Sequence, residues 1–215
     1  MVEAFVTEKP CFLEEPGWQE LTRLSKRPDV VLQEQLFACQ SMAPRILRDA
    51  QKANRGDHDA ADVLSRAHEL RNTMKHYFIR WWEGLKQSSL APVERPSGDD
   101  VFPIAYWFPN TLLPGLLCAH HTVTILLNEL FIDAGDADSE ALILEGQAGT
   151  NEICKCVFQA QTRLLGSIYM PFWLRVAADA CTPEQYPWIM SRWIRFRMVD
   201  GIWKQRGDAA PVGDP

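Results

Sequence analysis

The sequence is poor in the patterns that mark metal-binding or disulfide-stabilised proteins. Its six cysteines include no Cys-x-x-Cys pair, and only Cys154 and Cys156 stand close together. A chain of 215 residues, 47% of them hydrophobic, is long enough to bury a core without disulfides. His68 and His76 are two helical turns apart, about 12 Å, which is too far for one metal ion. We therefore predict no metal and no cofactor, and we interpret the cysteines as small apolar core residues.

Positive charge is also scarce. There are 22 Lys and Arg against 28 Asp and Glu, which gives a formal net charge of -6. A free-standing nucleic-acid binder carries a basic stripe, because neutralising phosphates supplies much of its affinity. We interpret the basic run on the last predicted helix, and the acid pair Asp99-Asp100 in a predicted loop, as solvated. The sequence therefore predicts no direct binding to nucleic acid.

The chain shows neither a leader nor a membrane-spanning pattern. Its N-terminus carries acids where a signal peptide needs a basic start followed by an apolar run. The longest apolar stretch, residues 112–132, is interrupted by a proline, two adjacent histidines, an asparagine and a glutamate. We expect a buried helix there instead of a membrane span, and a nuclear or cytoplasmic protein without a membrane partner.

Strand patterns and internal repeats are missing too. Apolar residues recur at three- and four-residue spacing, and no segment alternates convincingly at period two. Gly146 and Gly149 lie inside a helical pattern, which excludes a nucleotide-binding fingerprint. The sequence predicts the all-α class: a single irregular helical domain of about seven helices around a central apolar helix. We place an N-terminal segment at residues 1–27, the helical domain at 28–206 and a flexible tail at 207–215.

Proline and glycine separate the predicted helices. Pro44 falls inside a helical pattern and predicts a kink or a break near residues 41–43. Residues 88–100 form a predicted loop, and further prolines at 103 and 109 argue against any regular element before Asn110. A second break is predicted at Gly166. The predicted helices span residues 18–26, 28–54, 57–87, 110–133, 139–163, 167–180 and 182–206.

The last of these helices and the segment before it carry a family resemblance. Residues 166–206 combine, in order, an apolar helix with Pro171, the turn Val176-Ala177-Ala178, a helix opening with Pro183-Glu184-Gln185, and the pairs Trp188-Ile189 and Gly201-Ile202. In this order they resemble the closing segment of the regulatory domain of fungal zinc-cluster transcription factors. The upstream helices, with Trp81-Trp82 and His120-His121, suit the same domain. The resemblance implies a helical regulatory domain.

The resemblance does not extend to the DNA-binding module of that family, which holds six closely spaced cysteines among lysines and arginines. The first 60 residues contain only Cys11 and Cys39, from which no zinc cluster can be built. The chain is therefore predicted to be a regulatory domain without its own DNA-binding module. Three interpretations of the chain stay open: a fragment of a longer regulator, a stand-alone regulator, or a domain of this type with a different function.

The central predicted helix carries a polar stripe. His121, Thr124 and Asn128 stand at i, i+3 and i+7 and so share one face, and Glu129 lies close to the same side. An unpaired buried polar group costs about 1–3 kcal/mol. Either neighbouring elements satisfy these groups, or they line a pocket that holds a small ligand. The acids on helices apolar enough to shift a carboxyl pKa by burial are Glu129, Glu145 and Glu152.

Aromatic residues complete the candidate site. Trp107 stands beside Tyr106 in a proline-framed segment, which suits a pocket wall or a partner surface. Trp81 lies on the helix predicted over residues 57–87. We predict that the ligand-binding residues are His121, Thr124, Asn128, Trp107 and Trp81.

Together these features predict a ligand-sensing regulatory domain whose partner is a small molecule or a protein. The protein partner could be a second copy of the chain, in a homodimer. The alternative is a stand-alone small-molecule enzyme on the same scaffold, acting by acid–base catalysis or by shaping its substrate. Its catalytic candidates are His121, Glu129 and Tyr106. A purely structural dimerisation module is the third interpretation.

Overall fold

The computed structural model describes residues 28–110, 112–136, 138–162 and 164–207, with the backbone alone at 28–30, 164–168 and 198–207. The predicted helix at 18–26 and residues 208–215 of the predicted tail lie outside this part. Within it, the chain forms six α-helices and one antiparallel pair of short strands. These are α1 (Pro28–Ala53), α2 (Ala60–Lys86), β1 (Val93–Pro96), β2 (Ile104–Trp107), α3 (Leu113–Asp133), α4 (Ser139–Ala160), α5 (Leu164–Ala180) and α6 (Tyr186–Gly207).

The fold is predominantly helical, as predicted, but two details of the prediction are wrong. The described residues form six helices instead of about seven, and they include a β-hairpin where a loop was expected. In the hairpin, Val93 pairs with Trp107 and Pro96 with Ile104. Four residues are too few to show an alternating pattern, and a proline at the end of a strand leaves the ladder intact. Gly98, with a φ of +74°, occupies the turn.

Of the two predicted helix breaks, the one near Pro44 is absent, and the one predicted at Gly166 lies a few residues earlier, between α4 and α5. Helix α1 is continuous through Pro44, although an internal proline removes a hydrogen bond and costs about 3 kcal/mol. Packing offsets this cost, because Leu36 and Ile46 of α1 are buried against the neighbouring helices α2 and α3. Gly166 lies inside α5. Local breaker signals are therefore overruled where a helix has a strongly buried face.

Helix α3 lies at the centre of the fold, as predicted. It packs against α1, α2, α4 and α5, and twelve of its 21 residues are buried. Among the described helices, α3 is the one that is long and apolar enough to cross a membrane. The buried core helix of a soluble protein has the same length and composition. Cys118 of α3 and Cys154 and Cys156 of α4 are fully buried, in agreement with their interpretation as core residues.

The tip of the hairpin is fastened to α6 by Asp99. One carboxylate oxygen accepts the backbone N–H of Val101 at 3.0 Å, and the other accepts the indole N–H of Trp188 and the guanidinium of Arg192. Burial by itself would raise the pKa of Asp99, but these hydrogen bonds lower it below its ordinary value. The interpretation of Asp99 as a solvated loop acid is therefore wrong, whereas Asp100 is exposed.

We predict that Asp99→Ala lowers the free energy of unfolding by about 2–3 kcal/mol, because it leaves a buried indole N–H and a half-buried guanidinium without a partner. Urea denaturation followed by far-UV circular dichroism measures the change. The matched control is Asp100→Ala, which should stay within about 0.5 kcal/mol of the parent protein. Equal effects of the two substitutions would show that Asp99 does not fasten the hairpin.

Candidate functional site

Helices α2 and α4 lie on either side of a stretch of α3. The ring of Phe78 in α2 stacks on His120 of α3, and Glu145 of α4 accepts a hydrogen bond from Asn128 of α3. Although both helices pack on α3, they make few contacts with each other. The region between α2 and α4, with α3 beneath it as a floor, is here called the α2–α4 trough. Its residues are Arg71, Phe78 and Trp82 of α2, His121 and Asn128 of α3, Glu145, Glu152 and Lys155 of α4, and Tyr106 of β2.

An ion pair closes one end of the trough. Arg71 of α2 donates to Glu145 of α4 at 2.6 Å, and the same carboxylate oxygen accepts the amide of Asn128 at 2.9 Å. Burial by itself would raise the pKa of Glu145, but the hydrogen bonds from Asn128 and Arg71 lower it below its ordinary value. One carboxylate therefore ties three helices together.

Tyr106 closes the other end. Its hydroxyl donates to Glu152 at 2.9 Å and accepts the ammonium of Lys155 at 3.3 Å, and Lys155 also donates to Glu152 at 2.6 Å. Burial, reinforced by the charge of Glu152, raises the pKa of Tyr106, so the hydroxyl keeps its proton. Of the three protons on the Lys155 ammonium, two are used within this group.

Aromatic rings line the α2 side between these two ends. The ring of Phe78 stacks on His120 with 3.6 Å between centroids and stands edge-on to His121 at 5.4 Å. One turn further along α2, the ring of Trp82 lies parallel to that of Phe78 at 6.2 Å and also 6.2 Å from that of Tyr106. Phe78 and Trp82 are only half-buried. Apolar ring surface therefore stays accessible next to the polar groups of α3 and α4.

His121 lies on the floor, where the charges of Glu152 and Glu145 both act on it, and is uncharged. Its ring packs against α4 at Gly149, where an added Cβ would lie 3.4 Å from the imidazole Nδ1. Burial lowers the pKa of His121 to about 4, although the carboxylates of Glu152 and Glu145 act to raise it. At neutral pH the imidazole therefore offers one N–H donor and one acceptor nitrogen.

Three buried nitrogens around Phe78 have no hydrogen-bond partner. They are His120 Nδ1, His121 Nε2 and Trp81 Nε1, and all three belong to rings that contact Phe78. Burial holds the pKa of His120 well below its ordinary value, so this imidazole is neutral too. Each unpaired buried group costs about 1–3 kcal/mol. The cluster thus contains hydrogen-bonding capacity that the protein itself does not use.

The predicted polar stripe of α3 divides into structural and candidate binding residues. The hydroxyl of Thr124 donates to the backbone carbonyl of His120 in its own helix, at 3.0 Å. The amide of Asn128 donates to the carbonyl of Leu142 at 3.0 Å as well as to Glu145. These contacts favour the structural interpretation for Thr124 and for the amide of Asn128. Two atoms of the stripe are left without a hydrogen-bond partner, Nε2 of His121 and the carbonyl oxygen Oδ1 of Asn128.

The structure does not bring Trp107 to His121. Trp107 is the last residue of strand β2, and successive side chains of a strand point to opposite faces. Because Tyr106 points towards Glu152, Trp107 points away from the trough and packs under the guanidinium of Arg95, 5.3 Å from its ring centroid. Trp81 is buried in the core beside Phe78.

Glu129 lies on another side of α3, towards α5, so the expectation that it stands near His121 is corrected. Eight residues of helix turn the side chain by about 80°, which is enough to face a different neighbour. Burial raises the pKa of Glu129 to about 7, with further increases from Asp179 of α5 and from Asp133, against a lowering by Arg175. Of the three catalytic candidates, the trough therefore contains His121 and Tyr106 only.

Several residues of the trough were missed by sequence reasoning. Arg71, Phe78, Trp82 and Lys155 were not predicted as site residues, and Glu145 and Glu152 were noted only as acids on apolar helices. A signal does exist, because three helices carry polar or aromatic residues exactly two turns apart. These pairs are Arg71 and Phe78, His121 and Asn128, and Glu145 and Glu152. The signal has meaning only once the three helices are known to be neighbours.

Comparisons of this chain with family models, with curated proteins and with solved structures found no match. The resemblance to the regulatory domain of fungal transcription factors therefore stays a prediction. In the part of the chain that the structure describes, no three His, Cys, Asp or Glu side chains come together in a group that could hold a metal ion.

We predict that Asn128→Ala lowers the free energy of unfolding by about 2 kcal/mol, because the carbonyl of Leu142 and the carboxylate of Glu145 lose a buried donor. Urea denaturation measures the change. Asn72→Ala is the matched control, since Asn72 is an exposed asparagine of α2, and it should change stability by less than about 0.5 kcal/mol. A neutral Asn128→Ala would remove the structural role of this amide.

We also predict that the stability of the Glu129→Gln variant relative to the parent protein increases as the pH rises from 5 to 8. The raised pKa means that the folded protein retains the Glu129 proton after the unfolded chain has released it. The contribution of Glu129 to stability therefore falls between pH 4.5 and about 7, and glutamine removes this loss. Melting temperatures at both pH values test the prediction, with exposed Glu83→Gln as the control. A Glu129→Gln effect that is the same at both pH values would contradict it.

Proposed function

We propose that the protein is a ligand-sensing regulatory domain that binds a small aromatic molecule in the α2–α4 trough. The observation that carries the proposal is the neutral imidazole of His121, with an unpartnered nitrogen, among the accessible rings of Phe78 and Trp82. Ligand sites combine apolar and aromatic walls with a few polar groups that orient the ligand. The resemblance of residues 166–206 to a family of regulatory domains supports the same conclusion.

The dimensions of the trough set the size of the ligand. The Arg71–Glu145 pair and the Tyr106–Glu152 pair that close its ends stand seven residues apart on α4, which is about 10 Å of helix. A molecule of one or two fused rings matches this length. A larger ligand would have to break one of the two closing groups.

A ligand bound in this position would contact both α2 and α4. Because α2 and α4 make few contacts with each other, a molecule that touches both adds contacts that the free protein lacks. A ligand that binds only the folded state stabilises it by about 2.7 kcal/mol at a concentration of one hundred times Kd. Stabilising one arrangement of α2 and α4 is the way such a domain would signal occupancy to a partner protein.

The charge distribution supports a domain that does not contact nucleic acid itself. The chain carries a net charge of -6. In the basic run of α6, Arg192 is paired with Asp99 and its guanidinium lies 5.0 Å from the ring centroid of Trp188. The proposal therefore keeps a small molecule and a protein as the partners, and a nuclear or cytoplasmic location.

We predict that Trp82→Leu abolishes the rise in melting temperature that a bound two-ring aromatic compound causes, because the indole supplies apolar surface to the trough. The test screens one- and two-ring aromatics, charged and uncharged, by thermal shift. Trp107→Leu is the matched control, since that indole lies on the opposite face of β2, and it should bind like the parent. The absence of any stabilising compound, or equal losses in both variants, would overturn the proposal.

A second candidate, an acid–base enzyme on the same scaffold, is favoured by one group of contacts. Tyr106, Glu152 and Lys155 form a hydrogen-bonded group, and the charges of Glu152 and Lys155 act on the neutral His121. Such an imidazole can accept a proton while the unused third proton of the Lys155 ammonium is donated to a developing oxyanion. The single proton of Tyr106 is already donated to Glu152. Glu129 has no part in this version. Recovery of a bound compound unchanged after incubation separates the regulator from the enzyme.

A further inference from the structure

We infer that the trough is specific for an uncharged aromatic alcohol of the phenol type, with its hydroxyl bonded to His121. This inference rests on the proposed function and names the ligand class for the same site. It follows from three properties of the trough: its compensated charges, the kind of polar atom left without a partner, and its aromatic wall.

The charges of the trough are already paired. Arg71 is bonded to Glu145 and Lys155 to Glu152, while the imidazole of His121 is neutral. An anionic ligand would approach two carboxylates, and a cationic ligand would approach a guanidinium and an ammonium. Either one would lose its water without gaining a free counter-charge.

Additional positive charge stands only at the rim. Lys75 and Lys86 of α2 are exposed, and the Lys86 ammonium lies 5.9 Å from the ring centroid of Trp82. Water and salt screen exposed charges of this kind. They can attract an anion to the surface without making the floor of the trough suited to it.

The unpartnered nitrogen selects a hydroxyl group. Nε2 of His121 has no partner, and in a neutral imidazole this nitrogen is a donor in one tautomer and an acceptor in the other. A hydroxyl both donates and accepts, so it satisfies either tautomer, whereas a carbonyl satisfies only one. The third proton of the Lys155 ammonium is a further donor for the same oxygen.

The aromatic wall accounts for the ring. A planar ligand between α2 and α4 would lie beside Phe78 and Trp82, whose rings are parallel to within 9°, and aromatic pairs gain about 0.5–1.5 kcal/mol beyond the area they bury. Because Nε2 of His121 is buried, a side chain has to move to admit the hydroxyl. The half-buried ring of Phe78, edge-on to His121, is the one placed to do so.

The test compares three probes with the same two-ring skeleton by isothermal titration calorimetry at pH 7: 1-naphthol, naphthalene and 1-naphthoate. One buried hydrogen bond is worth about a factor of ten in affinity. We therefore expect 1-naphthol to bind about tenfold more tightly than either of the others. In His121→Phe, which keeps a ring and removes the nitrogens, this preference should fall to less than about twofold. His76→Ala, an exposed histidine of α2, is the control and should keep the preference.

The outcomes separate this inference from the proposed function. If the three probes bind equally well and Trp82→Leu abolishes their binding, the site exists but the ligand class is wrong. Tighter binding of 1-naphthoate, or an undiminished preference for 1-naphthol in His121→Phe, would likewise overturn the inference alone. If none of the three probes binds, the inference fails, and the thermal-shift screen of one- and two-ring aromatics then decides the proposed function separately. Because the preference is measured first in the parent protein, the inference stays testable even if His121→Phe does not fold.

Discussion

The burial of α3 is the constraint on which the rest of the structure depends. An apolar helix of 21 residues with four neighbouring helices loses its stabilising hydrophobic contacts if any neighbour leaves. These four helices, α1, α2, α4 and α5, are therefore arranged with their apolar faces towards α3. The proline in α1 is tolerated for this reason, since the buried face of α1 outweighs one missing backbone hydrogen bond.

Burial of α3 also decides the chemistry of its polar residues. Groups that found partners became structural: Thr124 with its own helix, and Asn128 with α4. The two adjacent histidines did not find partners for all their nitrogens, and burial keeps both of them uncharged. A region of matched ion pairs and neutral imidazoles is polar but carries no free charge. It is therefore better suited to an uncharged hydroxyl than to an ion.

Much of the fold could be predicted from periodicity. The helix predicted over residues 57–87 is observed at Ala60–Lys86, and the central helix is where it was expected. Four-residue strands gave no periodic signal, so the hairpin was missed. Missing the hairpin also affected the predicted site. In a segment interpreted as a loop, nothing indicated that Tyr106 and Trp107 point to opposite faces of a strand. Of the predicted ligand-binding residues, the structure therefore separates Trp107 from His121, while their role in binding stays a prediction.

The sequence by itself determined the helical class, the central position of α3 and the place of His121 on a polar stripe of that helix, because these follow from which residues along one helix share a face. Only the tertiary structure decided which side chains meet. Glu129 and Glu152 are both acids on apolar helices, yet Glu152 approaches His121 and Glu129 faces α5. The physical reason is that packing between helices sets their register and rotation, and a rotation of about 100°, the step of one residue, turns a side chain towards another neighbour.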